Sequence, residues 1–365
     1  MNSVRPSAPP LAGLTPYDPK YLPADALLSA NENPQDVEQE LRQEIMHEIK
    51  RVRLNRYPDP LANDLRDMIA EANGLDRDQV LVGNGGDELL FNLALAWGGP
   101  GRTFLNLPPT FSVYEANACL TNTSVVNVPR LPDFRIDEEA VLARLSQGDI
   151  DYLIITSPNN PTGELASEEF ICRVLETSDA LVMVDEAYFE FSRLTMRPYL
   201  AQHKNLVILR TFSKAFSLAG VRMGYLLGDA EVLREFVKVR QPYSVDAVSQ
   251  AIARVVYANR AQFEPGILKI IEERARVLEG LTRIPQVKPF PSDANYVLFR
   301  TENASQIWDM LYSRGVLVRD FSHAPYLENC LRVSIGTAEE NDLFLHTLRD
   351  AIMGKCDVRL PSARQ

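Results

Sequence analysis

From residue 57 to residue 239 the chain alternates short β-branched runs with helix-length amphipathic segments, which restricts it to a sheet covered by helices. The strand-like runs fall at 80–82, 103–107, 124–128, 152–156, 180–184, 206–210 and 223–227. Amphipathic stretches such as 88–97 and 167–176 lie between them. Strands separated by helices cannot be joined by hairpins, so the sheet is expected to be mostly parallel. After residue 246 the pattern changes. Helical segments at 246–257 and 265–281 lead into short strands at 287–290, 295–299, 316–319 and 331–334, with covering helices at 307–313 and 339–352. An α/β architecture follows, with a large domain over 57–260 and a smaller α+β domain over 261–365. Residues 1–25 hold six of the 24 prolines and read as an extended arm. Val37, Leu41, Ile45 and Ile49 then mark one face of a helix over 37–52. The segment 1–56 is expected to pack on the small domain.

The formal net charge of −11 over 365 residues disfavours general binding to nucleic acid or to an anionic membrane surface. Four cysteines, Cys119, Cys172, Cys330 and Cys356, form no metal-ligand spacing, so free thiols and no metal are expected. The first ten residues lack the apolar stretch of a secretory signal, and no run approaches the roughly 20 apolar residues of a membrane helix. A cytoplasmic location is expected.

Chemistry-bearing residues cluster where strands end. Thr211-Phe-Ser213-Lys214 follows an apolar run, with Arg222 eight residues beyond the lysine. Burying an ammonium is costly unless it is neutralised or used, and a Schiff base is one such use. A surface lysine at a strand end is the alternative. Gly83-Asn84-Gly85-Gly86-Asp87-Glu88 links a strand to a helix whose N-terminus suits a phosphate. It is equally a plain turn, and it does not match a dinucleotide fingerprint, since Glu88 stands where the third glycine belongs. Ser157-Pro-Asn-Asn160-Pro-Thr-Gly163 is a loop of fixed shape, and Asp185 closes the apolar run 181–184 three residues before Tyr188.

Taken together, Asn160-Pro-Thr-Gly, Asp185-x-x-Tyr188, Ser213-Lys214 and Arg222 resemble the pyridoxal-phosphate site of fold-type-I aminotransferases, and in particular the histidinol-phosphate aminotransferase family. Further similar segments are Leu14-Thr-Pro-Tyr17, Asn31-Glu-Asn33-Pro34, Asn55-Arg-Tyr57-Pro-Asp-Pro60 and Leu331-Arg332-Val-Ser-Ile-Gly-Thr337, so the resemblance spans nearly the whole chain. It implies a fold-type-I transferase with pyridoxal 5'-phosphate as cofactor. Lys214 would carry the cofactor and act as the proton-transfer base, Asp185 would face the ring nitrogen, and Asn160 and Tyr188 would bond the phenolic oxygen. Gly86, Asp87, Thr211, Ser213 and Arg222 would hold the phosphate, and Phe111 would stack on the ring unless it is a core aromatic. Serine or alanine is common in the family where Gly86 stands here.

The resemblance also implies a homodimer with shared sites, in which Tyr57 reaches the partner's cofactor and Tyr17 the partner's substrate. Asn33, Arg319 and Arg332 would bind substrate, the two arginines suiting a carboxylate or a phosphate. The implied reaction moves an amino group from L-histidinol phosphate to 2-oxoglutarate in histidine biosynthesis. An aromatic amino acid aminotransferase and a decarboxylase of a phosphorylated amino acid are the alternatives within reach of the same fold. A ligand-sensing regulator domain is disfavoured because the 56 residues before Tyr57 are too few and too proline-rich for a DNA-binding module.

Overall fold

The computed structural model describes residues 22–354 together with residues 5, 7, 8, 11, 14, 18 and 20. Tyr17 and Cys356 lie outside the described residues. In chain order the strands are β1 (Ala26–Leu28), β2 (Val80–Asn84), β3 (Thr103–Asn106), β4 (Ser124–Asn127), β5 (Tyr152–Thr156), β6 (Leu181–Asp185), β7 (Leu206–Thr211), β8 (Met223–Gly228), β9 (Val287–Pro289), β10 (Tyr296–Thr301), β11 (Val316–Asp320) and β12 (Cys330–Ser334).

Seven of them form one sheet in the order β2-β8-β7-β6-β5-β3-β4. Only β8 runs against its neighbours, pairing antiparallel with β7 and β2. Strands β5, β6 and β7 are buried along their whole length, as strands with helices on both faces must be. Their side chains alternate between two apolar layers. Leu153, Ile155, Val182, Val184, Leu206 and Ile208 enter one layer. Tyr152, Ile154, Leu181, Met183, Val207 and Leu209 enter the other, with Leu89, Leu90 and Leu93 of the helix Gly85–Trp97. Because β2, β5, β6 and β7 are mutually parallel, their C-terminal ends share one edge, where open α/β sheets bind ligands.

The second sheet has the order β1-β11-β12-β10-β9. Strand β1 lies in a stretch where no strand was expected; it runs parallel to β11, pairing Ala26 with Val316. A three-residue strand with the sequence Ala-Leu-Leu carries no periodicity to detect, and its existence depends on an edge far along the chain. The helix Gln39–Arg51 packs on the helix Ala247–Ala258. Among the described residues no helix is long and apolar enough to cross a membrane.

Candidate active site

The site begins with two adjacent strand ends, those of β6 and β7. Asp185 is the last residue of β6 and is only 5% exposed. Its carboxylate accepts from the Tyr114 hydroxyl at 2.7 Å and from the Ala187 backbone N–H at 3.0 Å. Among the described residues no cation forms an ion pair with it. Burial therefore dominates and raises its pKa to about 6, against the lowering effect of those two hydrogen bonds. A buried carboxylate without a cation fits a ligand that brings its own positive charge.

Next to it, β7 delivers Thr211, Ser213 and Lys214. The Thr211 hydroxyl accepts from the Ser213 N–H (3.1 Å) and donates to Ser213 Oγ (3.0 Å), which folds the strand end into a tight hydroxyl pair. Lys214 Nζ donates to the Ala30 carbonyl at 3.0 Å. Burial, and after it the charge of Arg332, pushes its pKa down to about 8. An amine so placed is neutral in a substantial fraction of molecules near physiological pH, as a nucleophile must be. Behind these strand ends, Glu186 accepts from Arg210 Nε at 3.0 Å in a buried ion pair that ties β6 to β7.

The third component is the start of the helix Gly85–Trp97, which has no side-chain N-cap bond. Its first amides are thus available to an anion. Gly85 has φ +75°, and a Cβ there would lie 2.7 Å from Arg222 Nη2. Gly224 presses so closely on this turn that a Cβ would come within 2.9 Å of the Gly85 and Gly86 backbone. Gly86 itself has room for a side chain, with only Leu209 within ordinary contact. Arg222 donates to the Asp87 carboxylate at 2.8 Å, so the acidic residue of the turn holds the arginine.

On the facing side, Asn160 Oδ1 accepts from Arg332 Nη1, and Arg332 Nη2 donates to the Ser29 carbonyl at 2.8 Å. The Tyr188 hydroxyl accepts from Asn31 Nδ2 at 2.9 Å. Asn33 Nδ2 donates to the Ala215 carbonyl at 3.1 Å, bracing the residue after Lys214. Arg319 pairs in register with Arg332 across β11 and β12, and its Nη1 donates to the Asp18 carbonyl at 2.9 Å. Phe111 sets its ring edge-on to Tyr114 at 5.6 Å between centroids. Tyr57 stands apart, 82% exposed and stacked on Tyr243 with centroids 4.5 Å apart.

Sequence reasoning passed over Tyr114, which bonds Asp185 from 71 positions away. A single tyrosine in the short helix Val113–Leu120 gave no signal of that contact. Asn31 was singled out only as part of a similar segment; its bonds to Tyr188, Ser334 and Asn295 are visible only in three dimensions.

The family model for aminotransferases of class I and II matches residues 25–348. A histidinol-phosphate aminotransferase of Chlorobium phaeobacteroides is 39% identical over 88% of this chain and 90% of its own length. Histidinol-phosphate aminotransferase 1 of Carboxydothermus hydrogenoformans is 39% identical over 96% of this chain and its full length. Among solved structures, a histidinol-phosphate aminotransferase of Sinorhizobium meliloti, in complex with pyridoxal-5'-phosphate, superposes with a TM-score of 0.88 at 25% identity, covering 98% of this chain and all of that one. The residues gathered here fit that group. Among the described residues no cation pairs with Asp185, and a protonated ring nitrogen would supply one; Lys214 offers an amine of lowered basicity, and the glycine-floored helix start beside Arg222 offers donors to a phosphate. The chain belongs to the class I and II aminotransferases, and its cofactor is pyridoxal 5'-phosphate.

Proposed function

We propose that the protein transfers the amino group of L-histidinol phosphate to 2-oxoglutarate, giving imidazole-acetol phosphate and L-glutamate. The observation that carries this reading is the pair Arg319 and Arg332, placed opposite each other on one small sheet facing the Lys214 side of the large one. Guanidinium groups placed side by side offer the forked donors that a carboxylate or a phosphate accepts. Both proposed substrates are anionic, one through a phosphate and the other through carboxylates. The names of the relatives point the same way.

Bound pyridoxal phosphate supplies the electron sink that makes an amino substrate's Cα proton acidic. The chain does the rest. Lys214 Nζ, with its lowered pKa, takes and returns that proton. Asp185 keeps its charge directed at the ring nitrogen, held in orientation by Tyr114 and the Ala187 N–H. Asn160 and Tyr188 bond the phenolic oxygen, and Asn160 is itself fixed by Arg332, so an anion drawn to Arg332 bears on the cofactor contact. Thr211, Ser213, Arg222 and the helix start with Gly86 hold the phosphate, with Asp87 aligning Arg222.

The working unit in this reading is a homodimer. Leu54 and Tyr57 are 85% and 82% exposed beside Arg51, Arg53 and Arg56, a surface suited to a partner rather than to water. Tyr57 would complete the neighbouring site. Incubation of the purified holoenzyme with L-histidinol phosphate and 2-oxoglutarate should yield glutamate and imidazole-acetol phosphate in equal amounts. Absence of glutamate from that pair, together with CO2 and amine formed from a phosphorylated amino acid such as threonine phosphate without 2-oxoglutarate, would replace the reading with a decarboxylase.

A further inference from the structure

Residues 29–31 touch three functional side chains in succession. The Ser29 carbonyl accepts from Arg332, the Ala30 carbonyl accepts from Lys214, and the Asn31 amide donates to Tyr188. Asn31 is where the chain turns to make this possible. It is 2% exposed and has φ +55°, in the left-handed region that asparagine and glycine adopt at least cost. Its carbonyl accepts from Asn295 Nδ2 at 3.0 Å, its N–H donates to Ser334 Oγ at 2.8 Å, and Ser334 Oγ donates back to Asn31 Oδ1 at 3.1 Å. With the amide oxygen committed to Ser334, the NH2 group is the end turned to Tyr188.

We propose that Asn31 is a positioning residue for the reaction, fixing the direction in which the Tyr188 hydroxyl gives its hydrogen. Because the Tyr188 oxygen accepts from Asn31 Nδ2, its hydrogen is turned away from the amide. It is thereby directed to an acceptor in the site, which for the bound cofactor is the phenolic oxygen. The ring cannot swing to compensate, since Tyr188 is 4% exposed and packs edge-on against Tyr296 with centroids 5.1 Å apart. A donor at the phenolic oxygen stabilises its anionic form and lowers the pH at which the cofactor–lysine linkage loses its proton. This inference rests on the reading of Tyr188 as a cofactor-binding residue.

The test is the pH midpoint of the visible absorbance of the substrate-free holoenzyme, read in parallel with the melting temperature. Asn31→Gly removes the amide and keeps the left-handed backbone available. Asn31→Ala removes the same amide and adds backbone strain. Both variants should raise the midpoint by about half a pH unit, equally, although the alanine variant melts at a lower temperature. In a Tyr188→Phe background, which should itself raise the midpoint, neither variant should move it further. If the Asn31 variants leave the midpoint unchanged while Tyr188→Phe raises it, the role of Asn31 is refuted and that of Tyr188 stands. If Tyr188→Phe also leaves it unchanged, the reading of Tyr188 falls and this inference with it. A shift that follows the melting temperature, or persists without the tyrosine hydroxyl, would equally overturn the proposal, and either variant alone suffices should the other not fold.

Discussion

Arg319 and Arg332, thirteen residues apart in sequence, are direct cross-strand partners in the antiparallel pair β11–β12. Arg332 is 5% exposed and is anchored to Asn160 and Ser29, whereas Arg319 is at the edge of the site near Asp18. The inner arginine therefore serves whichever anion enters. The outer one adds donors that only a larger, more highly charged group can use. Arg319→Ala should lower kcat/KM for histidinol phosphate about ten- to a hundredfold, the worth of one or two charge-assisted hydrogen bonds. The loss for phenylalanine as donor should be clearly smaller. Equal losses would make Arg319 a general structural residue.

Asp185 should show opposite effects with and without cofactor. Its folded pKa of about 6 lies above the ordinary value of 3.8, so the folded state binds more protons than the unfolded state between those values. Stability present below pH 3.8 is thus lost as pH rises toward 6, and the cofactor-free protein carries a cost of roughly 1–3 kcal/mol at pH 7. Asp185→Asn should raise the melting temperature of the cofactor-free protein at pH 7 while reducing turnover of the holoenzyme by more than tenfold. Melting curves without cofactor, followed by a turnover assay, check both halves. An asparagine variant that retained most of its turnover would remove Asp185 from the proposed role.

Lys214 has the complementary behaviour. Its pKa is lowered from 10.5 to about 8, so the neutral amine grows through that pH. The rate at which cofactor-free protein captures pyridoxal phosphate should rise from pH 7 and level off above about pH 9. Borohydride should then fix the label to the peptide containing Lys214. A label on another lysine would end the assignment.

How much of this was readable in advance depended on the distance over which information had to travel. Asp185, Lys214 and the turn at Gly85 and Gly86 announce themselves because each is a polar interruption directly after an apolar strand. Gly85 also meets a local backbone demand that sequence can show. The alternation of strands and helices gave the layered sheet for the same reason. The contacts of Tyr114 with Asp185 and of Asn31 with Tyr188 join residues 71 and 157 positions apart, and only the packing of the sheets decides them. Strand β1 was missed because its pairing edge at Val316–Asp320 lies almost three hundred residues away. The Asp87 carboxylate holds Arg222, which leaves its backbone N–H in the first turn of the helix as the group it would offer to a phosphate.

Shared sites make a distinct demand. Lys214→Ala and Tyr57→Ala protomers, each strongly impaired alone, should recover part of the wild-type activity when their subunits are exchanged. One site of each mixed dimer then holds both residues. No recovery after exchange verified by mass would place Tyr57 outside the partner's site.

The most direct test of the central claim compares wild-type kcat/KM for L-histidinol phosphate and for phenylalanine, each with 2-oxoglutarate as acceptor. Two facing arginines should favour the phosphorylated donor by about a hundredfold or more, with one glutamate formed per turnover. Equal values, or a preference for phenylalanine, would contradict the account and assign the chain to aromatic substrates.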